Sequence, residues 1–546
     1  MSFDASKYSP KENDWFSTEV EYKGHGRAEF VNPKGWIDGD VTIKFDDNGK
    51  STIEMETGEF FVENIDEGTE SGMAILHLLT GAKIFPFLGG SSIGFGTEIN
   101  NLCEKLTVQC TDGIFLIDKP TFYTYSMQIP GGITVKFQPT VSYYIKSGDQ
   151  LAKYWVMPLS NFLWNFGWPS YNTPFDNHPL RFYQVPSIED TFESEEQGFA
   201  ARYNSYSRNN IITYESKGKF GYIEPLPNFA ERKEKLLLDQ TKITTTAIMV
   251  GELESEDNIQ NWEKWVALDY LHLLSLASGS SVGTPWIELR DDLGNLVGRI
   301  HTYQWQSPFF KGHTSIDQKM KGGIGLLLTT SPFHLDKHLR VAINQLVKGG
   351  QRHFYIEDRL AYLFRAFDTL TSEERTTKQL DTNSSINSSN KEAIKKFLQN
   401  ASTEIKKLTP SNEIEKKEIN RIAQVASGAA NNKKPDEAQA VLMLLDNYGL
   451  NDAKVIVDLE AWLKQYNKYR NQVIHESFIQ NAEGQDAGYL MYHLYDMLLR
   501  IILKMINYNE EYNRATLPNG HFSVDWVTPN TSPTDLGYKQ HNSTTK

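Results

Sequence analysis

The chain has 546 residues, with 55 Lys and Arg against 69 Asp and Glu and a net charge of −14. That length calls for at least two hydrophobic cores, because single cores stop growing near ~250–300 residues, and 11 Trp, 26 Tyr and 29 Phe can fill them. The acidic balance excludes a generic nucleic-acid coat, since phosphate is repelled at long range, but it leaves room for an enzyme with a small basic cleft.

Cys103 and Cys110 are the only cysteines. Two thiols are too few for a disulfide framework or for an all-cysteine zinc site, so both are expected to be buried apolar groups. The first ten residues show no apolar run of the kind a secretory signal needs. Leu498–Ile506 is apolar, but Asp496, Arg500 and Lys504 recur at helical spacing in and around it. It is therefore predicted to be a buried or amphipathic helix rather than a membrane span, and the expected location is the cytoplasm.

In chain order, residues 1–330 are predicted to be β-rich. Val41, Ile43 and Phe45 alternate with Thr42 and Lys44, Asp47-Asn48-Gly49 supplies a turn, and Ile53 and Met55 resume the alternation. A second hairpin is predicted from Trp286–Arg290 and Val297–His301, and a helix over 258–277. Together these suggest a β-sandwich or a pair of sheets. From Ser331 the apolar period becomes helical: Leu335, Leu339, Ile343 and Leu346, then Leu360, Leu363, Phe364, Phe367 and Leu370. A polar spacer at 381–390, within a flexible insertion near 371–390, precedes predicted helices at 391–407, 411–428, 435–448, 452–480 and 486–509. The helical domain is thus placed at 331–515, and 516–546 is expected to be a loose tail. The predicted class is α+β multidomain, a β-rich N-terminal domain followed by an all-α bundle.

Gly89-Gly90 through Gly94 and Gly96 lacks the lysine and spacing of a phosphate loop, and a turn between strands accounts for it better; Lys321-Gly322-Gly323-Ile324-Gly325 is treated the same way. His334 and His338 lie four apart on a predicted helix, a spacing that can bind zinc. Leu335 stands where a metalloprotease has Glu, and no third ligand is near, so surface histidines are the preferred account and no metal or cofactor is assigned. Trp155, Trp164 and Trp168 can stack on sugars but more often form core, and no glycosidase carboxylate pair stands out.

The most informative segment is Tyr469-Arg470-Asn471-Gln472-Val473-Ile474-His475-Glu476. On an α-helix Asn471 and His475 fall about 40° apart, with Arg470 at the edge of their face. Trp462, Tyr466, Tyr469 and Val473 supply an adjoining apolar stripe. An imidazole to move protons, a permanent cation to stabilise a phosphorane-like transition state and an amide to orient them suit phosphoryl transfer without a metal. A second Arg–His spacing, Arg514 to His521, contains Pro518 and Gly520 and cannot form one helix.

Arg470-Asn471 with His475 resembles the HEPN superfamily motif, Arg followed after four to six residues by His, often with Asn after Arg. The helix over Arg359–Leu370 is similar to the first HEPN helix, and Asp368 loosely matches an acidic residue found there. The resemblance covers about 355–510. The whole layout resembles the ApeA group of anti-phage abortive-infection proteins. The resemblance implies a metal-independent endoribonuclease acting as a homodimer on host RNA, tRNA among the candidates. Catalytic roles then fall to Arg470, His475, Asn471 and Asp368, and the β-rich domain senses a phage-derived protein trigger. Leu494, Leu498, Ile501 and Ile502 are apolar beyond what one helix face needs, so some are expected at the dimer interface. The segment 371–435 is long for such a bundle, which implies helices that cover or gate the site. Two alternatives stand beside this: a non-catalytic HEPN scaffold or RNA binder, and a ligand- or carbohydrate-binding β-domain with a helical appendage.

Overall fold

In the computed structural model, the described residues are, apart from gaps of a few residues, 20–63, 103–163, 212–302, 309–372, 388–423, 437–450, 459–479, 484–515 and 523–528. The chain divides into two compact units, Met1–Tyr355 with Ile502–Val527, and Ile356–Ile501 with Thr528–Lys546. The helices up to Gly350 therefore group with the strands, and the division falls after Tyr355 rather than near residue 330.

Among the described residues the first unit is built on one large sheet rather than the expected sandwich or pair of sheets, with a two-stranded ribbon from the chain's C-terminal part. Its strands are β1 (Val20–Val31), β2 (Lys34–Phe45), β3 (Ser51–Val62), β4 (Cys103–Cys110), β5 (Gly113–Asp118), β6 (Thr121–Met127) and β7 (Ile133–Gln138). They continue with β8 (Ser142–Lys146), β9 (Tyr154–Ser160), β10 (Ile212–Ser216), β11 (Lys219–Pro225), β12 (Thr245–Glu252), β13 (Trp286–Arg290) and β14 (Leu296–His301). Among the described residues they form a single 14-stranded sheet in the order β10-β11-β12-β9-β13-β14-β8-β5-β4-β1-β2-β3-β7-β6. Both predicted hairpins are present, with Val41 opposite Met55 and Ile43 opposite Ile53, and with Trp286 opposite His301. The turn residues 47–49 lie outside the described residues, as does the Gly89–Gly96 stretch.

The sheet needs no second sheet because it curls onto its own core. Period-two alternation puts Ile37, Val41, Ile43 and Phe45 of β2 on one buried face, joined by Ile53, Met55, Leu106, Val108, Phe115 and Ile117. β2 and β14 are five strands apart in the order, ~24 Å in a flat sheet at ~4.8 Å per strand. Yet Phe45 and His301 stack with ring centroids 3.6 Å apart, and Arg299 donates to the Tyr22 hydroxyl at 3.2 Å. Only strong coiling brings those strands together. Glu288 lies under this closure, paired with Arg290 at 2.6 Å and Arg299 at 2.9 Å. Burial works to raise the pKa of Glu288, but the two guanidiniums together outweigh it and hold the carboxyl below its ordinary value.

Cys103 and Cys110 are buried at the two ends of β4. Burial pushes the Cys103 thiol up to about 12, so it is not a nucleophile near neutral pH.

Among the described residues, four helices lie wholly in this unit: α1 (Phe229–Leu238), α2 (Val266–Ser278), α3 (Gly323–Thr330) and α4 (Lys337–Gly350). The expected helix over 258–277 is α2 preceded by a 3-10 turn, Ile259–Lys264. The glycine run at 322–325 is not a turn between strands. Gly322 and Gly323, at φ 91° and 58°, start α3 in a backbone conformation that favours glycine. His334 and His338 do not share a helix face. Asp336 caps α4 by accepting the His338 N–H, so His334 lies before the helix, and its Nδ1 is 3.7 Å from Asp269. Asp269, on α2 and 1% exposed, also pairs with Arg340 of α4 at 2.6 Å and accepts the Leu335 N–H. Among the described residues no group of three or more His, Cys, Asp or Glu stands at metal-binding distance.

Part of the expected loose tail is ordered. β15 (Glu511–Arg514) pairs with β16 (Ser523–Trp526), and Arg514 forms a buried ion pair with Asp525 at 3.2 Å. His521 lies outside the described residues.

The second unit holds α5 (Ile356–Leu370), α6 (Ser388–Lys406), α7 (Glu437–Asn447), α8 (Leu459–Asn471) and the part of α9 (Gly484–Met505) up to Ile501. α6 begins inside the expected polar spacer. Leu360, Leu363, Phe364, Phe367 and Leu370 are buried along α5, as their spacing requires. No helix among the described residues is long and apolar enough to cross a membrane. In α9, Asp496 and Arg500 neutralise each other at 2.9 Å while almost fully buried.

His301 makes the closure of the sheet testable. Neither ring nitrogen has a hydrogen-bond partner among the described residues, and burial, then the Arg299 charge, pulls its pKa well below the ordinary value. The imidazole is neutral when folded but protonates near pH ~6.5 when unfolded. Its contribution is therefore complete above that pH and is lost as pH falls below it, by up to about 1.4 kcal/mol per pH unit. His301→Phe keeps the ring stack and should remove that loss. Urea unfolding from pH 7 to 5 should show the wild type weakening relative to the variant. Parallel curves would mean that His301 does not sit neutral in the core.

Candidate functional site

α8 turns one face inward because Trp462, Tyr466 and Tyr469 recur at four and three residues, with Val473 continuing the stripe; all four are buried. Tyr466 packs edge-on against Phe364 of α5, centroids 5.1 Å apart at 87°, and against Phe367 at 6.3 Å. These ring contacts fix the register of the two helices. They place Arg470, next to Tyr469, opposite Asp368, next to Phe367. The result is an ion pair, Arg470 Nη2 to Asp368 Oδ2, at 3.1 Å.

A second carboxylate completes the set. Glu437, the first residue of α7, approaches Arg470 Nη1 to 2.6 Å. The Arg470 side chain is 12% exposed, against 29% for Asp368 and 23% for Glu437. Both terminal nitrogens of the guanidinium are thus engaged, and its Nε has no acceptor among the described residues. Sequence reasoning missed Glu437. The available signal was an acidic residue in the first turn of a helix, where the macrodipole favours one, and that signal does not point to Arg470.

Beyond Asn471 the backbone is not α-helical. Gln472–Glu476 form a π turn, so the 40° separation expected from an ideal helix does not apply. A straight α-helix would set Arg470 and His475 about 140° apart. A π turn closes on the fifth residue rather than the fourth, turns less per residue, and swings His475 back toward the side of Arg470. Such turns occur often at functional positions. Asn471 and His475 are both exposed, and neither makes a hydrogen bond or ion pair among the described residues.

Of the four expected site residues, Asp368 and Arg470 are thus in contact, while Asn471 at the end of α8 and His475 in the following turn are exposed. Around Arg470 one cation faces two anions. The set has a proton-transfer group and a fixed cation, but the cation is fully compensated.

Leu494, Leu498, Ile501 and Ile502, expected partly free for a dimer interface, are each 0% exposed in the single chain. Burial within the chain accounts for them. In the β-rich unit, Trp155 is core, 4% exposed and packed near Tyr270 at 6.4 Å; Trp164 and Trp168 lie outside the described residues. A cavity of about 480 Å3 opens beside Tyr22, Tyr144 and Arg299. Two cations on its lining pair with the protein's own carboxylates, Lys23 with Glu21 and Arg299 with Glu288.

The ion pairs change what an Arg470 substitution does. Arg470→Ala leaves two carboxylates facing each other without a cation and should destabilise the chain by about 1–3 kcal/mol, since breaking a partly buried pair strands charge. His475→Ala, at an exposed position, should stay within about 0.5 kcal/mol of wild type. Thermal melts measure both. Equal melting of Arg470→Ala and wild type would show that the three-charge cluster does not hold the bundle together.

No family model, no curated protein and no solved structure matches this chain.

Proposed function

We propose that the helical unit is a metal-independent HEPN-type endoribonuclease, with Arg470 and His475 acting on the phosphodiester. The observation that carries this is Arg470, held against Asp368 on one helix while a π turn presents an exposed His475 five residues on. His475 takes the proton of a ribose 2′-hydroxyl. The 2′ oxygen then bonds to phosphorus, the bond from phosphorus to the 5′ oxygen breaks, and that oxygen takes up a proton. The products are a cyclic phosphate and a free 5′-hydroxyl. Arg470 stabilises the charge that develops on phosphorus-bound oxygen, Asp368 orients the guanidinium, and Asn471 positions the phosphate or the imidazole.

One imidazole cannot be acceptor and donor in the same step, so the active species in this proposal is a homodimer in which the partner subunit's His475 supplies the second proton transfer. Host RNA, tRNA included, is the substrate. The β-rich unit senses a phage-derived protein and sets when cleavage starts, so the whole acts as an abortive-infection defence in the cytoplasm. A second reading has one observation in its favour: an arginine neutralised on both sides is also what a structural ion pair in a helical scaffold looks like.

Induced expression of the wild type should stop growth and leave RNA fragments with cyclic phosphate ends. His475→Ala, folded normally, should abolish both, and EDTA should leave cleavage in vitro unchanged. Full toxicity and cleavage in His475→Ala would remove the nuclease assignment; cleavage that dies with EDTA and returns with magnesium would assign it to a different chemistry.

Mixing addresses the dimer. Excess His475→Ala chain, exchanged into wild-type protein, should suppress cleavage more than dilution does. Strictly proportional loss with proven subunit exchange would mean that each chain works alone.

A further inference from the structure

We propose that the Glu437 carboxylate occupies the position on Arg470 that the scissile phosphate takes, so that the site is plugged by a residue of its own chain. This rests on the nuclease reading above and names how that site meets its substrate. A carboxylate and a phosphodiester each present two acceptor oxygens to the planar donor fork of an arginine, so one can replace the other on the same nitrogens.

Three observations select Glu437 rather than Asp368 as the exchangeable anion. The Glu437 contact is the shorter, 2.6 Å against 3.1 Å, so it claims one end of the guanidinium outright. Asp368 lies within α5 next to buried Phe367, and its side chain is one methylene shorter than that of Glu437, so it has less reach away from the guanidinium. Glu437 is the first residue of its helix, and α7 stays anchored by buried Ala438, Ala440, Val441, Leu444 and Leu445. Rotation of the Glu437 side chain alone vacates the position, with no interior helix bond broken.

The charges agree. With Glu437 in place the cluster carries one cation and two anions, which repels a second phosphate-bearing chain. When Glu437 swings out and a phosphodiester enters, one anion replaces another and the count around Arg470 is unchanged. Arg470 then contacts phosphate while Asp368 still fixes its orientation. An acidic protein with a plugged cation binds RNA weakly until something draws Glu437 away.

The test uses the full chain and an uncleavable 2′-O-methyl oligonucleotide, its binding followed by fluorescence anisotropy at several salt concentrations. Glu437→Gln should bind about three- to tenfold tighter than wild type, as expected for loss of one like charge near a phosphate. The salt dependence should steepen by about 0.7 in log–log slope, the value for one added phosphate contact on a single strand. Adding Arg470→Met to Glu437→Gln should cancel the gain, which a merely structural Glu437 would not predict. Cleavage of ordinary RNA should rise in parallel. Glu437→Asp keeps the charge at the start of α7 but shortens its reach, and should show a smaller gain; it serves if Glu437→Gln does not fold. Binding and cleavage equal to or weaker than wild type in a folded variant would overturn the plug, while wild-type cleavage that still needs His475 would leave the nuclease standing. No RNA binding and no cleavage in any folded variant would overturn both.

Discussion

The helical unit depends on the compensation of one charge. A guanidinium that is only 12% exposed cannot be left without an anion, and Arg470 obtains two, from α5 and from α7. Three helices meet through that group. The aromatic contacts of Tyr466 with Phe364 and Phe367 decide which residues stand opposite each other; the ion pairs then take what the register offers. A site built this way is positioned by packing, and its electrostatics follow from the packing. Structural and catalytic arginines both need fixed partners, so in the proposed reaction the proton transfer falls to the exposed His475.

The β-rich unit solves a different problem with the same economy of means. A wide antiparallel sheet must bury one face, and here coiling brings β2 to β14 so that the sheet covers itself. The closure carries its own neutralised charges, Glu288 between Arg290 and Arg299, and a neutral histidine stacked flat on a phenylalanine. These groups are committed to the fold.

Features governed by short-range periodicity were legible in the sequence. The stripe Trp462, Tyr466, Tyr469 and Val473 and the hairpin register of β2 with β3 follow from residues a few positions apart. What was not legible depends on long-range pairing. One sheet or two turns on strand order, and the partners β9 with β12 and β13 lie far apart in the chain. Glu437 meets Arg470 across a separation that no period spans, whereas Asp368 was reachable only through a family resemblance. The π turn at Gln472–Glu476 breaks the ideal helical wheel on which the angle between Asn471 and His475 was drawn. At His334 the signal was present but outweighed: Pro332 and the capping residue Asp336 mark a helix start that leaves His334 outside.

In the proposed reaction a ribose hydroxyl of the substrate is the nucleophile, and this chain supplies only proton transfer and charge. The most direct measurement cleaves an RNA oligonucleotide with the full-length protein, maps the cut, and repeats the reaction with a single 2′-deoxyribose on the 5′ side of that bond. The account predicts that cleavage at that bond disappears while other susceptible bonds are still cut. Unchanged cleavage at the deoxy position would show that water or another external nucleophile does the work, and would contradict the roles given to Arg470 and His475.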